Sequence, residues 1–180
     1  DYFRVGANIQ PLGSYFNGQA DMLRIWNREL TSAEITWLYN SGSGRSYSAL
    51  SGGGGGTNGL STGLIRAYLA EDLTDELGNA NLTVRGSGIS STTGKNNNCY
   101  TYSTSGGHVS DWFPDSNNWT ISCWINADAI DSATFNGTIG CHDANNHRAY
   151  FGLGNSNEAV VAVGSTHDVD SSATYSAGTW

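Results

Sequence analysis

The chain has 180 residues, and only 13% of them are charged. Lys and Arg number 8 against 16 Asp and Glu, which gives a formal net charge of −8. This balance argues against nucleic acid as a partner, because phosphate binding needs clustered cationic side chains, and equally against anionic membrane surfaces. The length is typical of one domain, and no apolar run is long enough for membrane insertion.

The three cysteines are Cys99, Cys123 and Cys141. An odd number cannot pair fully within one chain, and no Cys-x-x-Cys spacing indicates a zinc site. We interpret them mainly as small buried apolar side chains. One disulfide between two of them is the alternative.

Two strands are predicted near the start of the chain. Residues 1–10 mix apolar and polar side chains as a short strand does. Residues 19–26 alternate with a period of two, as expected for a strand with two unlike faces.

A short helix is predicted directly after the second strand. Thr31 is a good N-cap, and Glu34 follows three residues later, which makes a capping box. The residues Ile35, Leu38 and Tyr39 fall at helical spacing, so one face is apolar. Gly42 is predicted to end the helix in the left-handed conformation.

The next segment, residues 45–62, is predicted to be a linker. It contains five consecutive glycines, at positions 52–56, which offer no side chains to pack and a high backbone entropy.

Strands return after the linker, separated by polar turns. They are predicted at residues 63–69, 94–102, 119–125, 138–141, 149–153 and 159–164. In the third of these, alternation places Trp119, Ile121, Cys123 and Ile125 on one face and Trp124 on the other.

Two motifs resemble the ends of laminin-G-like domains of the concanavalin A-like lectin and glucanase superfamily. The closing motif is an aromatic-Asn-Gly turn, then D-x-x-R-I-W-N-R-x-L, then T/S-x-x-E-I-x-x-L-Y-N-x-G. It is matched by Phe16, Asn17, Gly18, Asp21, Arg24, Ile25, Trp26, Asn27, Arg28, Leu30, Thr31, Glu34, Ile35, Leu38, Tyr39 and Gly42. The opening motif is matched by Leu64, Tyr68, Leu69, Asp75, Gly78, Asn79, Asn81 and Val84.

The resemblance implies an all-β fold, a two-sheet antiparallel jelly-roll sandwich with one short helix. It also implies an unusual order: residues 1–44 are similar to the C-terminal part of a module and residues 63–180 to the N-terminal part. The hairpin that the family places between these parts is not found here. A window on a tandem array, a circular permutant and an incompletely traced longer protein all remain open, and a partial chain is favoured over permutation. The two parts can complete one sandwich if the first supplies strands to the sheets of the second.

Catalysis is not expected. A glycosidase needs two carboxylates that face each other across a cleft, and the E-x-D-x-E run of the family's glucanase branch is absent. The G-x-S-x-G motif of a serine nucleophile is absent as well.

A calcium site is the candidate cofactor site, since calcium prefers carboxylate, amide and carbonyl oxygens. The candidate ligands are Asp143, Asn145, Asp168 and Asp170, which we place in loops. The alternative is that these side chains only make Asx-turns.

A glycan site is predicted where an aromatic side chain lies among Asn and Asp partners. The best local cluster is Asp111, Trp112, Asp115 and Asn117, on a loop before a predicted core strand. The alternative is that Trp112 packs under its own loop. Trp26, Trp119 and Trp124 are predicted to lie in the core.

The sequence therefore predicts a non-catalytic carbohydrate-binding and adhesion module of an extracellular, cell-surface or virion protein. Its partners would be glycans or cell-surface glycoconjugates, together with neighbouring modules or copies of itself. The alternative is a purely structural decoration or filament repeat without a small ligand.

Overall fold

The computed structural model describes residues 2–6, 15–51, 59–103, 106–111, 118–128, 136–142, 148–153, 158–163 and 167–180. Within these ranges the chain is mostly β, as predicted, with one short helix, α1, and a further five-residue helical segment, α2. The elements in chain order are β1 (Tyr2–Val5), β2 (Gly18–Trp26), α1 (Ser32–Tyr39), α2 (Tyr47–Ser51), β3 (Leu64–Tyr68), β4 (Thr83–Arg85), β5 (Ile89–Thr93), β6 (Asn98–Tyr102), β7 (Gly107–Ser110), β8 (Thr120–Ala127), β9 (Asn136–His142), β10 (Arg148–Leu153), β11 (Glu158–Val163) and β12 (His167–Thr174).

The described strands form two antiparallel sheets. The seven-stranded sheet has the order β12-β11-β10-β9-β1-β7-β4. The five-stranded sheet has the order β3-β2-β6-β5, and β8 pairs with β2 as well.

Strand β2 is the middle of the five-stranded sheet. One of its edges pairs with β8 from Gly18 to Trp26. Its other edge is shared, because β6 pairs with it at the start and β3 at the end. Between these neighbours Met22 has a φ of 50°, and the register with β8 shifts between Asp21 and Arg24. A bulge therefore marks the point where β2 exchanges one neighbour for another.

Strand β1 is an inner strand of the other sheet, where it pairs with β9 on one side and β7 on the other. The N-terminal part thus supplies inner strands to both sheets, in agreement with the expectation that the two parts complete one set of sheets. The assignment of 1–44 and 63–180 to parts of laminin-G-like modules stays a prediction.

The sheets share one apolar cluster, which is the larger core of the protein. Phe3 and Val5 of β1 lie in it together with Leu23 and Ile25 of β2, and all four are at most 2% exposed. Trp119, Ile121, Cys123 and Ile125 pack against this cluster while remaining half-buried, which confirms the predicted face of β8.

A second apolar cluster lies under the helices. Its buried members are Trp26, Leu30, Leu38, Leu50 and Leu60. The indole Nε1 of Trp26 donates a hydrogen bond of 2.7 Å to the carbonyl of Leu60. Leu50 and Leu60 belong to the segment predicted as a linker, so both ends of that segment pack against the fold.

Helix α1 begins as predicted. The Thr31 hydroxyl accepts from the Glu34 amide at 3.3 Å, and the Glu34 carboxylate accepts from the Thr31 amide at 2.8 Å. Its C-terminus differs from the prediction, because Asn40 with φ 49° caps the helix before Gly42. In the described part of the chain, no helix has the length and apolarity needed to cross a membrane.

An ion pair fixes α1 to the rest of the fold. Arg28 Nη2 lies 2.7 Å from a carboxylate oxygen of Glu34. The same guanidinium donates to the carbonyls of Gly59 and Thr62, at 2.9 and 2.8 Å. One cation therefore connects the first turn of α1 to the residues that lead into β3.

We expect Glu34→Gln to lower the free energy of unfolding at neutral pH by about 2 kcal/mol, the scale of a hydrogen bond to a charged group. The hydrogen bonds from Arg28 and Thr31 lower the pKa of Glu34 from 4.5 to about 2. This stabilisation is complete above pH 4.5 and is lost as the pH falls towards 2. Urea unfolding across this range should show the difference between wild type and variant closing on acidification.

The exposed Glu29 provides the matched control, and Glu29→Gln should change the free energy of unfolding by less than about 0.5 kcal/mol. A difference between wild type and Glu34→Gln that stays constant down to the lowest pH would contradict the interpretation.

Candidate functional site

The predicted glycan cluster lies largely outside the described residues. Asp111 is described and is exposed directly after β7. Trp112, Asp115 and Asn117 lie outside the described ranges. This cluster therefore stays a prediction.

The predicted calcium ligands divide in the same way. Asp143 and Asn145 lie outside the described residues. Asp168 and Asp170 lie in strand β12 rather than in a loop, where their Cα partners on β11 are Ala162 and Val160. Within the described ranges, no group of three or more His, Cys, Asp or Glu residues could hold a metal ion. The calcium site also stays a prediction.

The structure instead reveals an apolar groove between α1 and β8. Its volume is about 350 Å³. Leu30, Ile35, Leu38 and Tyr39 line one wall. Residues 120–124 of β8 line the other wall, together with Phe151 of β10.

The apolar face of α1 forms one wall of this groove. We predicted that Ile35, Leu38 and Tyr39 share an apolar face, but only Leu38 is buried, in the second cluster. Ile35 and Tyr39 are 54% and 57% exposed. The helix packs through Leu38 and leaves its two other apolar side chains at the rim of the groove.

Three side chains form what we call the aromatic platform: Tyr39 and Trp124, which line the groove, and Lys95, which contacts Trp124. The Tyr39 and Trp124 rings are stacked, with centroids 5.7 Å apart and planes 14° apart. The ammonium of Lys95 lies 4.7 Å from the centroid of the Trp124 ring, within the range of a cation–π interaction. Trp124 was predicted to be a core residue and is instead half-buried.

Gly44 lets the chain pass close behind Trp124. Its φ is 71°, a conformation that favours glycine. A Cβ at this position would lie 2.7 Å from Met22 Cε and 2.9 Å from Trp124 Nε1. The position of the Trp124 ring therefore depends on the absence of a side chain here.

Asp21 holds the turn that carries Lys95. One carboxylate oxygen accepts from the Asn96 amide at 2.9 Å, and the other accepts from the Met22 amide at 2.6 Å. Asp21 is 1% exposed, and this burial raises its pKa from 3.8 to about 6 despite the backbone hydrogen bonds, which act in the opposite direction.

Chemically, the platform offers the exposed Tyr39 ring for stacking, and it carries an ammonium donor, Lys95, over Trp124. None of the described residues that line the groove is an Asp or a Glu. The geometry therefore suits recognition of a ring with an apolar face and a polar rim.

No family model, curated protein or solved structure matches the chain. The resemblance to laminin-G-like domains stays a prediction that rests on the two sequence motifs.

We expect Gly44→Ala to destabilise the protein by more than the cost of the left-handed backbone alone, which is about 1–2 kcal/mol, because its Cβ would meet Met22 and Trp124. Gly78→Ala is the matched control, since Gly78 has a φ of 72° but nothing within 4 Å of its added Cβ. Thermal unfolding followed by tryptophan fluorescence should show a larger loss for Gly44→Ala. Equal losses would contradict the close packing.

We expect the buried Asp21 to give stability a characteristic dependence on pH. Because its folded-state pKa is raised, its contribution is complete below pH 3.8 and is lost as the pH rises to about 6. Asp21→Asn does not titrate, so wild type should lose stability relative to the variant across this interval. Urea unfolding at several pH values measures the difference, and parallel curves for the two proteins would contradict the assignment.

Proposed function

We propose that the chain is a non-catalytic carbohydrate-binding and adhesion module. In this proposal its two sheets form a jelly-roll sandwich of the laminin-G-like type, displayed on an extracellular, cell or virion surface. The partners are glycans or cell-surface glycoconjugates, and neighbouring modules or copies of the same chain.

The observation that supports the proposal is the exposed Tyr39 ring stacked on Trp124 beside Lys95. A pyranose has an apolar face of C–H groups and a rim of hydroxyls. An aromatic ring supports such a face, because it offers a large flat contact area at low entropic cost. In this proposal the Lys95 ammonium donates a hydrogen bond to the rim.

A binding role agrees better with this groove than hydrolysis does. Hydrolysis of a glycoside needs two carboxylates on opposite sides of the scissile bond. The described residues that line the groove carry aliphatic, aromatic, hydroxyl and thiol side chains, and none carries a carboxylate. The proposal therefore assigns no reaction to the site.

The test is binding of the purified chain to a glycan array, followed by titration of the strongest ligand with Tyr39→Ala. We expect affinity to fall by about tenfold or more, since loss of an aromatic anchor typically costs about 2 kcal/mol. Tyr39→Phe should bind nearly as well as wild type because it keeps the ring.

Val84→Ala serves as the matched control, because Val84 is 54% exposed on a different surface, on β4. Absence of glycan binding by the wild type, or binding unaffected by Tyr39→Ala, would contradict the proposed site.

Repeating the array in calcium and in EDTA distinguishes glycan binding at the aromatic platform from glycan binding that needs the predicted calcium site. Binding through Tyr39 should persist in EDTA. Binding that EDTA abolishes would instead direct attention to Asp111, Trp112, Asp115 and Asn117, with Asp143, Asn145, Asp168 and Asp170 as the candidate calcium ligands.

The structural alternative, a decoration or filament repeat, is favoured by a different observation. Among the described strands β8 pairs only with β2, and it carries no charged residue. Uncharged edges of this length are prone to pair with other chains.

A further inference from the structure

We propose that Asp21 is a positioning residue that controls the aromatic platform through its protonation state. Its ionised carboxylate holds the turn that carries Lys95, and its protonation in mild acid releases that turn and weakens glycan binding. The effect on binding rests on the proposed function. The release of the turn is a property of the chain itself and can be measured without a ligand.

The Asp21 carboxylate lies directly against the turn between β5 and β6. The Asn96 amide donates to Oδ2 at 2.9 Å, and the Met22 amide donates to Oδ1 at 2.6 Å. A Cβ added to Gly94 would lie 2.7 Å from the same Oδ2, so the backbone of the turn passes close to this oxygen. Backbone hydrogen bonds from Asn96, Met22 and Lys95 all favour the ionised carboxylate.

The same turn determines where the platform has its ammonium. Lys95 Nζ lies 4.7 Å from the centroid of the Trp124 ring, and Trp124 is the Cα partner of Asp21 on β8. The nitrogen of the Asn96 amide is bonded to the carbonyl carbon of Lys95, so displacing this amide also displaces the backbone that carries the lysine side chain. Asp21 therefore acts on the platform through the turn.

Protonation removes one acceptor from this arrangement. An ionised carboxylate accepts hydrogen bonds at both oxygens, whereas a carboxylic acid carries a proton on one of them. That proton would face a backbone N–H, which is also a donor, so one of the two hydrogen bonds is lost. Met22 is the covalent neighbour of Asp21 within β2 and stays in place. We therefore expect the Asn96 hydrogen bond, and with it the turn, to be released.

Burial is what brings this protonation into mild acid. Asp21 is 1% exposed, and a buried carboxyl group favours its neutral form. Burial raises the pKa of Asp21 from 3.8 to about 6, and the carboxylate of Glu71 acts in the same direction.

The other described groups around Asp21 do not change their charge in this range. They are Arg24 on β2, Cys99 and Tyr100 on β6, and Lys95 in the turn, while β8 presents the uncharged Trp124. Burial lowers the pKa of Arg24 only to about 10, so it stays charged. Burial raises the pKa of Cys99 and of Tyr100, so both stay neutral. A transition of the turn near pH 6 therefore belongs to Asp21 among these groups.

Protonation and glycan binding are then coupled in both directions. If binding needs the ordered turn, the fraction of the protein that can bind equals the fraction with Asp21 ionised. One pH unit below the pKa of about 6 this fraction is about one tenth, so the apparent affinity falls by about tenfold.

The first test needs no ligand. Proton–nitrogen NMR spectra of the labelled chain are recorded over two pH units on each side of the Asp21 pKa of about 6. In wild type the Asn96 amide and the Trp124 indole should titrate with a common midpoint near this value. Asp21→Asn, which has the shape of the protonated acid, should show neither transition and should keep both signals near the acid positions of wild type. Asp128→Asn, the matched control at an exposed carboxylate, should keep both transitions.

The second test repeats the glycan array one pH unit above and one below the same pKa. The protein concentration for half-maximal binding should rise by about tenfold in acid for wild type and stay constant for Asp21→Asn.

The wild-type titration decides the structural part even if Asp21→Asn does not fold. Failure of the Asn96 amide and the Trp124 indole to titrate together near pH 6 would overturn the inference, whatever the array shows. Glycan binding by wild type that is equal at both pH values would overturn it as well. A clear titration without any glycan binding would instead overturn the proposed function and leave Asp21 as the residue that controls the turn.

Discussion

The pairing of β2 is the constraint on which the rest of the structure depends. This strand is almost entirely buried and contacts three neighbours, β3, β6 and β8. It also carries two buried charged side chains, Asp21 and Arg24, which are 1% and 2% exposed. Arg24 donates to the carbonyl of Arg45, so this strand also holds the segment after α1. Burial lowers the pKa of Arg24 to about 10, although Asp21 acts in the opposite direction.

The bulge in β2 connects this fold to the candidate site. Before Met22 the strand pairs with β6, and after it with β3. At this change of partner the Asp21 carboxylate accepts a hydrogen bond from the Asn96 amide in the turn that contains Lys95. Trp124 is the Cα partner of Asp21 on β8. Trp124, Lys95 and Asp21 therefore lie together at the bulge of β2. Bulges are common where a strand must redirect a side chain.

Local chemistry was enough to predict the position of β2, the start of α1 and the two faces of β8, because alternation and capping are properties of neighbouring residues. The alternation predicted for β2, with Ala20 opposite Leu23 and Ile25, was wrong, because the bulge at Met22 places all three in one core cluster. Local chemistry missed short polar strands such as β5, which has no apolar side chain after Ile89. It identified the apolar face of α1 but not that Ile35 and Tyr39 stay exposed, since an apolar pattern does not say what covers a face. The Tyr39–Trp124 contact joins residues brought together by long-range packing, a contact that no local pattern reveals.

The measurement that tests the role of β2 most directly is a cross-link between β2 and β8. Gln19 and Asn126 are Cα partners, and their side chains are hydrogen-bonded at 3.2 Å, so paired cysteines should meet the geometric requirement of a disulfide. In the double variant Gln19→Cys and Asn126→Cys, peptide mapping after oxidation should find the two introduced thiols linked within one chain. An unlinked product, or a link only between different chains, would contradict this pairing.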